Sequence, residues 1–289
     1  MHARAVAATT TALLGTATLL LPAPQARAGS AQPTVIAHRG ASAYAPENTL
    51  EAVDKAAELG IDWVENDVQR TKDGELVVVH DDNLKRTTDA EEVFPDRAPW
   101  KVKDFTAAEI ARLDAGSWFG PAYADARVPT LKQYMDRVEL HHQKLLLEIK
   151  NPELYPGIEQ ETLKVLDNEG WLDGPHLESR LIVQSFSADS VRTVHELKPA
   201  VKTGLLGTPA VADLDGYAAF TDQINPSYGS VSAGYVASVH AVEGAHGKPL
   251  EVFTWTVNDA GTAQLVAGYG VDGIITNTPD VVRDALPAS

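Results

Sequence analysis

The sequence predicts an α/β fold, a closed (β/α)8 barrel with an inserted segment after a hairpin at its second strand. Three observations lead there. Short β-branched runs alternate with amphipathic helical runs from residue 34 onward, the pattern of a parallel sheet with helical crossovers. The second and third runs lie too close together to be parallel neighbours. The remaining positions number eight, which suits a closed barrel of about 250 residues.

The expected strands are 34–38, 63–68, 76–80, 144–150, 180–185, 202–206, 223–225, 251–257 and 272–276. Only residues 69–75, with the turn-forming Lys72-Asp73-Gly74, separate the second from the third. A parallel crossover needs about a dozen residues, so these two form an antiparallel hairpin that counts as one barrel position. An open doubly wound sheet is the competing architecture. In the first helix Leu50, Val53, Ala56, Ala57 and Leu59 share one side, Asn48 or Thr49 caps the start, and Gly60 sits at the left-handed C-terminal cap. The stretch over about 82–129 breaks the alternation. It is rich in Pro, Asp and aromatic residues (Phe94, Trp100, Phe105, Trp118, Phe119, Tyr123) with one short helical run near 106–113. It reads as an insertion leaving the barrel mouth.

The 289 residues are 44% hydrophobic and 22% charged, which suits a large core and excludes a disordered chain. Twenty-four Lys and Arg stand against 40 Asp and Glu, a net charge of −16 that disfavours nucleic acid and anionic membranes. The absence of cysteine removes disulfides, thiolate metal sites and thiol nucleophiles, leaving oxygen and nitrogen chemistry. Residues 1–28 carry Arg4, an uncharged apolar run and Ala26-Arg27-Ala28. That order predicts a secretory leader cut after Ala28, an exported catalytic domain over 29–289, and no later membrane span; an uncleaved anchor is the competing reading.

The reacting groups of such a barrel come from the carboxyl ends of its strands. Those ends hold His38-Arg39-Gly40, Glu65-x-Asp67, His80-Asp81 and Glu148-x-Lys150. Side chains alternate along a strand, and Leu145, Leu147 and Ile149 take the helix side, so Glu148 and Lys150 face inward. Three carboxylates converging in an interior call for a cation, and an all-oxygen set favours Ca2+ or Mg2+, with extracellular calcium tipping the choice. The alternative is an ion-pair layer of Glu65, Asp67 and Glu148 with Arg39 and Lys150. His38 and His80 can act as general base and general acid on a metal-bound ester, or each can be a hydrogen-bonded core histidine. Arg39 and Lys150 suit a phosphate. The other histidines read as surface residues.

The runs VIAHRGASAYAPENTLEAV, WVENDVQRTKDGELVVVHDDNLKRTT, VPTLKQYM, LLLEIKNP, VQSF, VFTWTVND and GVDGIITNTPD together resemble the glycerophosphodiester phosphodiesterase family, in its secreted bacterial type. The resemblance implies a TIM barrel with an insertion, one divalent cation (Ca2+ or Mg2+) and conversion of glycerophosphodiesters to glycerol 3-phosphate and an alcohol. It implies metal ligands Glu65, Asp67 and Glu148, acid/base residues His38 and His80, phosphate contacts Arg39 and Lys150, and pocket residues Gln184 and Trp255. Two departures stand out. VPTLKQYM lacks an acidic residue after PTL, and Asn277 stands where Asp is frequent; both are expected to bear on substrate preference more than on activity. A phospholipase of D or C type on intact lipid or sphingomyelin is the second enzyme reading, and would need an exposed apolar rim. A catalytically idle binding module and a retaining glycosidase complete the alternatives. The sequence alone does not say which histidine begins as base.

Overall fold

The computed structural model describes residues 1–2 and 32–287, so the expected leader lies, apart from its first two residues, outside them. The described chain contains strands β1 (Thr34–Ala37), β2 (Trp63–Arg70), β3 (Leu76–Val78), β4 (Lys144–Ile149), β5 (Leu181–Ser185), β6 (Lys202–Leu206), β7 (Gln223–Asn225), β8 (Glu251–Thr254) and β9 (Gly273–Thr276). All but β3 pair in parallel from β1 through β2 and β4 onward to β9, and β9 pairs again with β1. The ring is closed, which excludes the open doubly wound sheet. Among the described residues no helix is long and apolar enough to cross a membrane.

Alternation along the strands builds two apolar layers. Val64, Val68, Leu145, Leu147, Ile149, Leu181 and Val183 point outward and pack on Val53, Leu131, Tyr134, Val138, Leu163 and Leu166 of the surrounding helices. Ile36, Leu146, Ile182, Phe253 and Ile275 point inward and fill the barrel. Glu65, Asp67 and Glu148 sit on the same inward side, Glu65 level with Leu146 and the other two nearer the carboxyl end. Asp67 pairs in register with Glu148, and Glu65 with Leu146.

The first helix, Leu50–Glu58, is capped by Thr49, whose hydroxyl accepts from Ala52 N, and Gly60 takes φ +72° just past its end. Its buried stripe is Ala52, Val53 and Ala56; Leu50, Ala57 and Leu59 are only half-buried. Asn48 is therefore not the cap. Nearby Gly40, at φ +74°, lies where an added Cβ would come within 2.6 Å of Ala52, so the loop after β1 can lie on this helix only through a glycine.

The hairpin differs from the expected one in both arms, β2 running two residues past 68 and β3 stopping two residues short of 80. β2 continues past Val68, which is level with the last residue of β4, to Arg70, and β3 returns antiparallel with Val78 opposite Val68. Val79 N then donates to Asp67 O at 2.9 Å, so the chain regains the rim at the level of Asp67. His80 is thus delivered by a descending strand outside the barrel ring rather than by the carboxyl end of a barrel strand. After it, the inserted segment is a small packed unit with helices Ala90–Val93 and Ala107–Ile110, the latter opened by a Thr106–Glu109 capping box. It buries Leu84, Val102, Phe105, Ile110 and Leu113 against Val77 and Val79. Its base is shut where Val77 bridges Thr130 and Val78 N donates to Pro129 O at 2.9 Å.

Candidate active site

At the carboxyl end of the barrel lies a cavity of about 270 Å3, lined by His38, Arg39, Glu65, His80, Glu148, Lys150, Gln184, Phe186, Leu206, Trp255, Thr256 and Ile275. Apart from Asp67, buried and level in register with Glu148, every site residue expected from the sequence is in that lining. Glu65, Asp67 and Glu148 are 1%, 1% and 6% exposed. Each offers one carboxylate oxygen within 4.8 Å of those of the other two.

The surrounding charges do not balance these three acids. Arg39 Nε lies 3.3 Å from Asp67 Oδ2, and Lys150 Nζ lies 2.8 Å from Glu148 Oε1 and 3.7 Å from Asp67 Oδ1. Arg39 N donates to Glu65 Oε2 at 2.8 Å, and Asn48 Nδ2 donates to Asp67 Oδ2 at 2.8 Å. Burial pushes Asp67 up, but Arg39, His80 and Lys150 together outweigh it and hold it below the usual carboxylate range. Burial and the charge of Asp67 push Glu148 up to about 8, and burial with Asp67 and Glu148 holds Glu65 well above its ordinary value. Glu65 and Glu148 are thus held protonated and the two cations answer chiefly Asp67, so a layer of ionised pairs does not account for all three acids. Asp67 Oδ1 accepts no hydrogen bond although it is buried. An all-oxygen set with an orphaned carboxylate oxygen and two acids waiting to lose protons fits a hard divalent cation.

The two histidines are held differently. His38 Nδ1 is 2.6 Å from Asn277 Oδ1, which also accepts from Ser42 Oγ at 3.0 Å. An amide oxygen can only accept, so His38 carries its proton on Nδ1 and keeps a lone pair on Nε2. Burial, then Arg39, lower its pKa to about 4. His80 Nδ1 is instead 2.7 Å from Asp81 Oδ1. Asp81 is itself pulled down to about 2, chiefly by hydrogen bonds from Arg86. Asn277, expected to bear on substrate preference, is thus the partner of a site histidine. Asn48, read as part of a helix start, is a partner of Asp67, with φ +60° aiming its amide at β2.

On the other wall, Gln184 Oε1 accepts from Asn225 Nδ2 at 2.9 Å, and Trp255 Nε1 donates to Asn225 O at 2.8 Å. Phe186 stands edge-on to Trp255 at 5.6 Å between ring centroids, and Lys150 Nζ lies 5.4 Å from the Phe186 ring centroid. Phe186, Leu206, Thr256 and Ile275 were not foreseen. His141, His176 and His240 are also not the plain surface residues expected, being half-buried and paired with Asp54, Asp173 and Asp272. All three lie outside the pocket.

Residues 38–281, nearly the whole barrel, match the model of the glycerophosphoryl diester phosphodiesterase family. The chain belongs to that family. It is 36% identical over 256 residues to a glycerophosphodiester phosphodiesterase of Caldanaerobacter subterraneus, covering 86% of this chain and 95% of that one. It is 34% identical over 260 residues to a glycerophosphodiester phosphodiesterase of Bacillus subtilis, covering 85% and 84%. Among solved structures it is similar to an Oleispira antarctica phosphodiesterase in complex with the product sn-glycerol-3-phosphate, with a TM-score of 0.72, 29% identity, and 88% and 96% of the two chains covered. The matched span includes every residue of the cavity lining.

Proposed function

We propose that this chain catalyses metal-dependent hydrolysis of glycerophosphodiesters, such as glycerophosphocholine and glycerophosphoethanolamine, to glycerol 3-phosphate and the alcohol. One observation carries the reading: three buried carboxylates within 4.8 Å of one another share a cavity with two histidines and two cations. Glu65, Asp67 and Glu148 hold the cation, for which we favour Ca2+ over Mg2+. When bound it neutralises phosphate charge and eases ionisation of a hydroxyl. Arg39 and Lys150 orient the phosphate. His38, neutral and with a free lone pair on Nε2, takes the proton from the attacking 2-hydroxyl of the glycerol. His80, held through Nδ1 by the Asp81 carboxylate, gives a proton to the departing alcohol. Water then opens the cyclic phosphate with the two roles exchanged. Gln184 and Trp255 border the substrate on the opposite wall.

The purified protein incubated with glycerophosphocholine, with and without EDTA, should release glycerol 3-phosphate only in the absence of chelator. Equal release in both, or none in either, would reject the proposal. Phe186, 53% exposed, and Trp118, 43% exposed, favour a second reading, action on intact phospholipid. Greater turnover on phosphatidylcholine vesicles than on glycerophosphocholine would support that one instead. We further read residues 1–28 as an export leader. Recovery from culture medium of a chain beginning at Gly29 is the expected result.

A further inference from the structure

Arg86 lies outside the cavity lining and is 44% exposed on its side chain. Its guanidinium nevertheless makes four hydrogen bonds. Nε and Nη2 donate to the two oxygens of Asp81 at 2.8 and 3.0 Å, and Nη1 and Nη2 donate to the two oxygens of Glu47 at 2.9 and 2.8 Å. Each carboxylate passes its hold to a site residue. Asp81 Oδ1 is 2.7 Å from His80 Nδ1, and Glu47 Oε1 accepts from Arg39 Nη1 at 2.9 Å.

The two connections differ in how much they depend on Arg86. Arg39 has a second anchor in Asp67 that Arg86 does not touch, so it keeps its place if Arg86 is removed. His80 has no second anchor of that kind. It follows the end of β3, its side chain is 31% exposed, and its carboxylate partner is the adjacent residue, 26% exposed. A carboxylate at the surface would rotate into solvent unless both its oxygens were held, and a bidentate guanidinium holds both.

We propose that Arg86 is a positioning residue that, through Asp81, keeps His80 aimed at the departing alcohol. This rests on the functional reading above, in which His80 protonates that alcohol. The prediction depends on the leaving group, because choline needs a proton as it departs and p-nitrophenolate does not.

Turnover of Arg86→Ala should be compared on glycerophosphocholine and on the glycerol p-nitrophenyl phosphodiester. On the first, kcat should fall about tenfold or more while KM stays within about twofold; on the second, the first-turnover release of p-nitrophenolate, which precedes the step where His80 activates water, should stay within about threefold of the unmodified enzyme. Arg86→Lys should recover part of the loss. Arg86→Ala combined with Asp81→Asn should be no slower than Asp81→Asn alone, since the two act through one contact. Equal losses on both substrates, a change confined to KM, or fully additive effects would overturn the proposal. If Arg86→Ala does not fold, Arg86→Lys carries the same comparison with a smaller loss. Failure of the unmodified enzyme on glycerophosphocholine would count against the functional reading. An active enzyme indifferent to Arg86 would count against this inference alone.

Discussion

Strands β1, β2 and β4 and the hairpin line one side of the cavity with His38, Arg39, Glu65, His80, Glu148 and Lys150, whereas β5, β6, β8 and β9 and their loops line the other with Gln184, Phe186, Leu206, Trp255 and Ile275. The first wall is a network of buried charge in which each acid or base shifts its neighbours, so a change at one position alters the protonation of several. The second wall is neutral, its polar groups already satisfied by Asn225. The contrast separates two tasks. On the proposed function, the charged wall would break the phosphate–oxygen bond and the neutral wall would select the alcohol.

The largest effect should come from the charged wall's acids. Glu148→Gln, or removal of the cation by a chelator, should reduce glycerol 3-phosphate release by about 10³-fold, reversibly only for the chelator. Next, His38→Ala or His80→Ala should cost at least about 100-fold in kcat while calorimetry shows cation binding retained; near-normal turnover would remove that histidine from the reaction.

Cation affinity tests the same wall by pH. Glu148 is held protonated up to about pH 8 in the cation-free protein, against an ordinary 4.5, so binding below pH 8 displaces a proton. Because Glu65 is also held above its ordinary value, calorimetric affinity should rise by about tenfold or more per pH unit below pH 8. The raised pKa also means that the cation-free fold loses stability from pH 4.5 to about 8, because the unfolded chain ionises freely there and the folded chain does not. The Tm gain from added cation should therefore grow across that interval.

Smaller effects belong to the neutral wall. Trp255→Ala or Phe186→Ala should change the preference between choline and ethanolamine diesters about tenfold or less, mainly in KM. A loss of kcat as deep as that of the histidine variants would erase the distinction between the walls. At the opposite end of the barrel, where Lys144 Nζ lies 5.7 Å from the Trp63 ring centroid, Lys144→Ala should leave turnover within about twofold.

The charged wall was legible in the sequence because acids and imidazoles at strand ends, where a core would place apolar residues, are conspicuous. The barrel was legible because periodicity distinguishes its strands and because the 69–75 gap permits only a hairpin. Phe186, Leu206 and Ile275 were not, since an apolar residue at a strand end looks the same whether it packs or lines a cavity. Asn48 was hidden by Thr49, a neighbour equally able to cap a helix; only the positive φ at Asn48 turns one toward β2. Asn277 was noticed as a departure but not placed, because its contact with His38 joins residues 239 apart, across the closing seam of the ring.

The shut base of the inserted segment carries a different consequence. Since Val77 with Thr130 and Val78 with Pro129 pin both of its ends together, the chain between them is a cassette whose two attachment points already coincide. Its exposed turns at 95–96 and 124–125 can be lengthened without asking the eight staves of the barrel to move, while Val102, Phe105, Ile110 and Leu113 stay to cover Val77 and Val79, which makes those turns the natural place to graft a tether or a reporter onto the enzyme.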